Sequence, residues 1–263
     1  MKKIIFSVCF AMASLYANAT VFDELASHFL VHEYPGMEKV RLGNANNGGY
    51  VADVSALESS DVVLAYGYNN AYHDNSFEVA FSQLYNKQSY GLYNASLRNN
   101  TSLIRPDSLF TFSSKDNGFN VGLFNNVLSN NTLKKYIKMD IEGEEYNVLN
   151  AVLVRKNFIT GIVLEIHGVH QAHTVKVQLL PLLEKIEQNF LLTHIHGNNH
   201  CRENIPFSPT AKVIGNVPGV LKLTFINKNL VSNSSVSENQ SHPTGIDVPD
   251  CSNLSDAAFI VIP

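Results

Sequence analysis

The chain is poor in charge. Asp, Glu, Lys and Arg make up only 16% of its 263 residues, the net charge is -4 and the isoelectric point lies near 6.2. No basic stretch interrupts this balance, so electrostatics give no reason to expect a nucleic-acid partner. Asparagine stands in for much of the usual lysine and glutamate, which predicts a polar but weakly charged surface. The apolar run Ile4 to Tyr16 is too short to span a bilayer. Cysteine is scarce, at three residues, and His200 beside Cys201 is a single pair without the spacing of a zinc site. There is no internal repeat. At 45% hydrophobic content the chain can bury one substantial core.

The short apolar run has a different meaning. Lys2 and Lys3 precede it and Ala17-Asn18-Ala19 follows, the small-x-small pattern cleaved by a secretory signal peptidase. Residues 1–19 are therefore expected to be a leader, the mature protein to begin at Thr20, and the protein to be exported, periplasmic or secreted, with no stable membrane insertion once the leader is gone. Cys9 leaves with the leader. The remaining Cys201 and Cys251 suggest one disulfide closing a loop of about 50 residues, worth about 4 kcal/mol in the chain-entropy model; the alternative is two unpaired thiols.

The rest of the chain alternates strand and helix patterns, which predicts an α/β fold: a mostly parallel sheet of about seven strands with helices on both faces. Residues 20–60 read as an N-terminal helix and a glycine-rich hairpin, and 61–263 as the α/β domain. Phe22, Leu25, Phe29 and Leu30 share a helical face up to Pro35, and Gly43 to Gly49 is the hairpin tip. Strands are expected at Asp61–Tyr66, Ser89–Tyr93, Leu109–Phe112, Lys134–Ile141, Ile159–His167, Leu191–Ile195 and Val220–Ile226, with a final short strand at Ala258–Ile262. His173 to Asn189 reads as a helix that Pro181 bends. The serine- and asparagine-rich stretch 231–245 has no apolar period and reads as an exposed loop.

The chemistry concentrates at strand ends. In Lys138 to Leu149, Ile137, Met139 and Ile141 alternate with Lys138, Asp140 and Glu142, which puts both carboxylates on one strand face. Gly143 turns the chain, and Glu144 and Glu145 follow in a first helical turn, where acids complement the helix dipole. Open α/β sheets bind ligands at the carboxyl ends of their strands, so Asp140 and Glu142 sit where chemistry is done; the alternative is one capping and one solvated carboxylate. The next strand ends in Glu165 and His167, and the one after in His196 with Asn198 and Asn199. A histidine near its ordinary pKa can take a proton from a hydroxyl while a carboxylate orients it, and the same groups could hold a divalent metal, which the sequence does not choose. Gly67 after Asp61–Tyr66, before a helix with Phe77, Phe81 and Leu84, suits a nucleotide cradle or an ordinary βα turn. Asn94 ends the next strand, where an acid usually meets ribose hydroxyls.

These segments resemble, in order, those of the FkbM-type methyltransferases, S-adenosylmethionine-dependent enzymes with a Rossmann-like fold. RLGNANNGGYV is similar to the family's glycine-rich opening, AYGYNN with DNSFE to its cofactor loop, KMDIEGEE to its Lys-x-Asp-Ile-Glu-Gly strand end, GIVLEIHG and HIHGNN to its Glu-x-His and His-x-Asn-Asn segments, and IDVPD to its tail. The likeness runs from Arg41 to Cys251. It implies a Rossmann-like methyltransferase fold and methylation of an oxygen on a sugar or other small-molecule or glycan acceptor. Gly67, Asp74, Ser76, Phe77 and Asn94 would then face the cofactor, and Asp140, Glu142, Glu165, His167, His196 and Asn199 the reaction. Asn47 and Asn94 replace aspartates of the pattern, Tyr68-Asn69 a second glycine, and Lys222 a glutamate; losing the acid at Asn94 costs about 1.5–3 kcal/mol of ribose binding. S-adenosylmethionine is made in the cytosol, which conflicts with export. Two alternatives follow: an exported binding protein on a degenerate fold, and a metal-dependent hydrolase using the same rim.

Overall fold

The computed structural model describes residues 21–46, 49–67, 74–93, 110–114 and 126–263. The leader, Asn47, Tyr68-Asn69 and Asn94 lie outside the described residues. In chain order the strands are β1 (His32–Glu33), β2 (Lys39–Leu42), β3 (Tyr50–Asp53), β4 (Val62–Gly67), β5 (Gln88–Tyr93), β6 (Phe110–Ser114), β7 (Lys135–Asp140), β8 (Ile159–Ile166), β9 (Phe190–Gly197), β10 (Val213–Gly215), β11 (Leu221–Asn227), β12 (Ser235–Val236), β13 (Ser241–His242) and β14 (Phe259–Val261). The helices are α1 (21–27), α2 (Val54–Glu58), α3 (Ser76–Tyr85), α4 (126–129), α5 (Glu145–Val152), α6 (Ala172–Thr174) and α7 (Leu180–Glu187). Among the described residues no helix is long and apolar enough to cross a membrane.

The central sheet has the order β6-β5-β4-β7-β8-β11-β9. Strands β6 to β8 pair in parallel, and β11 runs antiparallel to both β8 and β9, so six strands point one way and one points back. Both faces are covered, as parallel strands require, and residue parity assigns the two cores. Leu64, Ile137, Met139, Ile162 and Leu164 face α1, α5 and α7 through Phe22, Leu25, Leu149, Val152, Leu183 and Ile186. Their neighbours Val63, Ala65, Tyr136 and Val163 face α2, α3 and the β2–β3 hairpin through Leu57, Phe77, Phe81 and Tyr50. The hairpin pairs Lys39 with Asp53 and Leu42 with Tyr50, and buried Asp53 accepts hydrogen bonds from Tyr34 and Thr193 across its base.

Three expectations need correction. The first helix stops at residue 27, because β1 leaves it to pair with β12. Stretch 231–245 is not an exposed loop: it contributes β12 and β13, and Ser237, Gln240 and His242 are buried. Gln240 replaces a strand neighbour there, accepting from Val31 N at 3.0 Å and donating to the carbonyls of Val31 and Ser237, both at 2.9 Å. Polar side chains satisfy backbone groups in this stretch, so no apolar period marks it. Cys201 and Cys251 are unpaired thiols; the Cys201 Sγ donates to the Glu203 carbonyl at 3.4 Å. The helix expected from His173 to Asn189 spans Ala172–Glu187, with a π turn at Val175–Leu179 and Pro181 in the first turn of α7.

His242 makes the acid response of this tail testable. Its ring is buried, neither nitrogen has a hydrogen-bond partner among the described residues, and it lies 4.9 Å from the Phe259 ring. Burial, reinforced by neighbouring His194, pushes its pKa down to about 3. An unfolded histidine titrates near 6.5, so the unfolded chain binds a proton that the folded one rejects, and stability falls as pH drops from about 6.5 towards about 3. In urea unfolding, His242→Phe is expected to match the parent at about pH 7 and to exceed it by about 2–3 kcal/mol at about pH 4.5. Equal losses in the two proteins on acidification would contradict this.

Candidate functional site

The order of the central sheet reverses between β4 and β7: the chain leaves β4 towards β5 and β6, then returns to the other side. Gly67, the last residue of β4, is in register with Asp140, the last of β7. Such a reversal leaves a crevice at the carboxyl ends of the strands, and Asp140 borders it.

The turn after Asp140 is built from Glu142 at φ +56° and Gly143 at φ +104°. Two successive left-handed residues reverse the backbone within a very short span, and glycine carries the more extreme one without strain. Glu145, fully buried at the start of α5, holds this turn: its carboxylate accepts from Ile141 N at 3.1 Å and from Gly143 N at 3.0 and 3.1 Å. The same carboxylate binds His167 Nδ1 at 2.9 Å, while His167 Nε2 stands 3.5 Å from the Glu142 carboxylate. Burial works against a charged ring, but the hydrogen bond and charge of Glu145, with Glu165 and Asp140, outweigh it and raise the His167 pKa to about 9. His167 is therefore a cation at neutral pH, which overturns the expectation of a near-neutral base.

Glu165 and Asp140 share one hydrogen-bond donor. The Tyr50 hydroxyl, brought from the hairpin, lies 3.0 Å from Glu165 Oε2 and 3.1 Å from Asp140 Oδ2. Burial first, then these two carboxylates, raise the Tyr50 pKa and keep its proton on. One proton cannot fully serve two carboxylates. Burial, and then Glu165, raise the Asp140 pKa. Three cations offset the negative charge: His167, Lys138 at 4.0 Å from Asp140 and Lys222 at 3.8 Å from Glu165. The two lysines also lie 5.2 and 4.8 Å from the centre of the Tyr50 ring. Asn198 donates to Glu165 Oε1 at 2.7 Å. Asp140, Glu165 and His167 thus each present an atom within 4.8 Å of the others.

His196 and Asn199 are not part of that group. Register places Lys222 opposite both Glu165 and His196, so β11 separates the two. His196 Nε2 meets Asp256 at 3.0 Å and its Nδ1 is 3.9 Å from both Asp247 and Asp250, while His194 Nε2 meets Asp247 at 2.8 Å. Burial alone would raise the Asp247 pKa, but His194 and His196 bring it down to about 2. Asn199 clamps the tail: its side chain donates to the carbonyls of Cys251, Leu254 and Ser255 and accepts from Cys251 N at 2.7 Å. The site amide is its neighbour Asn198.

The residues expected at the cofactor also divide. Gly67 borders the crevice. Asp74 accepts from Ser76 N and from Asn44 Nδ2, both at 2.7 Å, and Ser76 Oγ accepts from Asn44 N at 2.7 Å, so this pair ties the start of α3 to the hairpin loop. Phe77 is a core residue, fully buried, edge-on to Tyr50 and stacked on Tyr136. Sequence reasoning missed Tyr50 as a site residue, named Asn198 at the strand end but assigned the reaction to Asn199 instead, and gave Glu145 only a dipole role; the fixed Glu-to-His spacing of two strand ends contains no sign of a tyrosine arriving from a hairpin.

Glu145→Gln tests the control of His167. Ring-proton NMR of chelator-treated protein is expected to show His167 titrating near 9 in the parent, and more than one unit lower in the variant, at about 7 to 8. A raised histidine stabilises fully below its unfolded value of about 6.5 and loses that contribution as pH rises through about 9, so the parent should also lose stability over this interval. Titration of the parent ring near 6.5 would reject the assignment. No family model, curated protein or solved structure matches the chain.

Proposed function

We propose that the chain is an S-adenosylmethionine-dependent methyltransferase of the FkbM type, transferring a methyl group to a hydroxyl oxygen of a sugar or similar acceptor, on a Rossmann-like methyltransferase sheet. The observation that carries the reading is the convergence of Asp140, Glu165 and His167 beside Gly67, at the point where the strand order reverses. The motif segments from Arg41 to Cys251 support the same class. The residues present suit the group electrostatically, since a rim of carboxylates complements a sulfonium cation. When bound, S-adenosylmethionine supplies an electrophilic methyl carbon.

The chain's own groups then divide the remaining work. Asp140 and Glu165 are engaged by Tyr50 and Asn198, and Glu145 by the turn and His167. Glu142 is the carboxylate with capacity to spare: its side chain is 49% exposed and its one close partner among the described residues is His167. Burial is the largest influence on it and raises its pKa, which makes it a better proton acceptor. Glu142 takes the proton from the acceptor hydroxyl, and His167, 3.5 Å away, orients it. The leader pattern supports export, and Lys222, whose ammonium neutralises Glu165 and Asp250, favours the second reading of a binding protein on the same fold.

Calorimetry of the chain from Thr20 onward with S-adenosylmethionine and its demethylated product decides between them. Saturable heat with both ligands is expected; none at about millimolar ligand, far weaker than working cofactor affinities, ends the transferase reading. Labelled-methyl transfer to a panel of monosaccharides should fall about 100-fold or more in Glu142→Gln with an unchanged melting temperature.

A further inference from the structure

We propose that Asp140, Glu165 and His167 hold a divalent cation of the Mn2+ class, and that this cation selects acceptors carrying two adjacent oxygens. The three ligand atoms lie within 4.8 Å of one another. A cation bonded at about 2.0–2.2 Å to oxygen and nitrogen places its ligands roughly 3–4 Å apart, so rotamer-scale adjustment closes the set. They come from two rigid strand ends, β7 and β8, which are paired in the central sheet.

The imidazole carries the argument beyond a collection of acids. His167 Nδ1 is committed to the buried carboxylate of Glu145, which fixes the ring, while Nε2 stands 3.5 Å from Glu142; the ring presents an atom within 4.8 Å of Asp140 and Glu165, and a bound cation takes the place of the Nε2 proton. A carboxylate behind a histidine whose other nitrogen faces further ligands is the arrangement found around protein-bound metals. Asn198 and Tyr50 orient Glu165 in the same way, and Tyr50 orients Asp140. The lysines do not fill the position: Lys138 and Lys222 each approach a single carboxylate, at 4.0 and 3.8 Å, and Lys222 is shared with Asp250. Two oxygens and one imidazole nitrogen, with no thiolate, suit Mn2+ better than a thiophilic ion. With three protein ligands on one side, the open positions accept a bidentate oxygen donor such as a vicinal diol. That the diol is the methyl acceptor rests on the transferase reading; the cation site does not.

Mn2+ titration of the full mature chain, read by calorimetry and by the loss of the free-ion electron paramagnetic resonance signal, tests the site. One Mn2+ per chain is expected. Asp140→Asn and His167→Ala should each weaken it at least 100-fold and Glu145→Gln about 10- to 100-fold, while His196→Gln leaves it unchanged. Melting temperatures in chelator identify any variant that merely unfolds, and Glu165→Gln serves as its replacement. No Mn2+ binding by the parent, binding indifferent to Asp140 and His167, or binding abolished by His196→Gln would each overturn the proposal. A methyl glycoside with a vicinal diol should perturb the bound-Mn2+ signal and its dideoxy analogue should not; equal effects would overturn the selectivity claim. Cation binding without S-adenosylmethionine binding would leave the site standing and remove the transferase, and the reverse result would do the opposite.

Discussion

Two carboxylates side by side in a largely dry rim repel each other, and the architecture around Asp140 and Glu165 answers that repulsion. Like charges out of water interact several times more strongly than in it, so each must be met by a donor or a cation. None of the compensating groups except Lys138 and His167 comes from the two strands that carry the acids. The hairpin contributes Tyr50, β11 contributes Lys222 and the turn after β9 contributes Asn198. The hairpin's position over the sheet is thus tied to the chemistry of the rim as well as to burial of its apolar side chains.

Lys222 links the two halves of the polar surface. Burial disfavours its charge, but Glu165, Asp250 and Asp140 together hold its pKa up. Through it, the rim at β7 and β8 communicates with the histidine and aspartate cluster on β9 and the tail. A glutamate at this position would add a further negative charge between Glu165 and Asp250, so the lysine sets the charge balance of the rim.

The strands were legible because their physics is local. Continuous apolar runs in β4 and β8 and alternating apolar residues in β7 and β11 mark the strands of the central sheet, and the change of period at Gly143 marks the turn and the helix. Asp140 and Glu165, inside β7 and β8, could be read as one rim because side-chain parity along a strand is two, whereas Glu142, expected on the same strand face, lies past the end of β7 at φ +56° and His167 just past β8, so the turns rather than parity bring them there. Parity fails outside strands: Asn198 and Asn199 follow β9, and only the folded turn decides that the first reaches Glu165 and the second turns to the tail. Tyr50 and Glu145 were not legible as site residues, since their roles depend on tertiary approach over 115 and 22 residues of sequence. The polar strands β12 and β13 escaped because serine, asparagine and glutamine satisfy the backbone there without an apolar repeat.

The tail is closed by an amide where sulfur might have done it. Asn199 spans the gap to Cys251, Leu254 and Ser255 with four hydrogen bonds, while Cys201 and Cys251 are free thiols. Each such bond contributes on the order of 1 kcal/mol, and none of them exchanges electrons. The fastening of the C-terminal segment therefore does not depend on forming a disulfide.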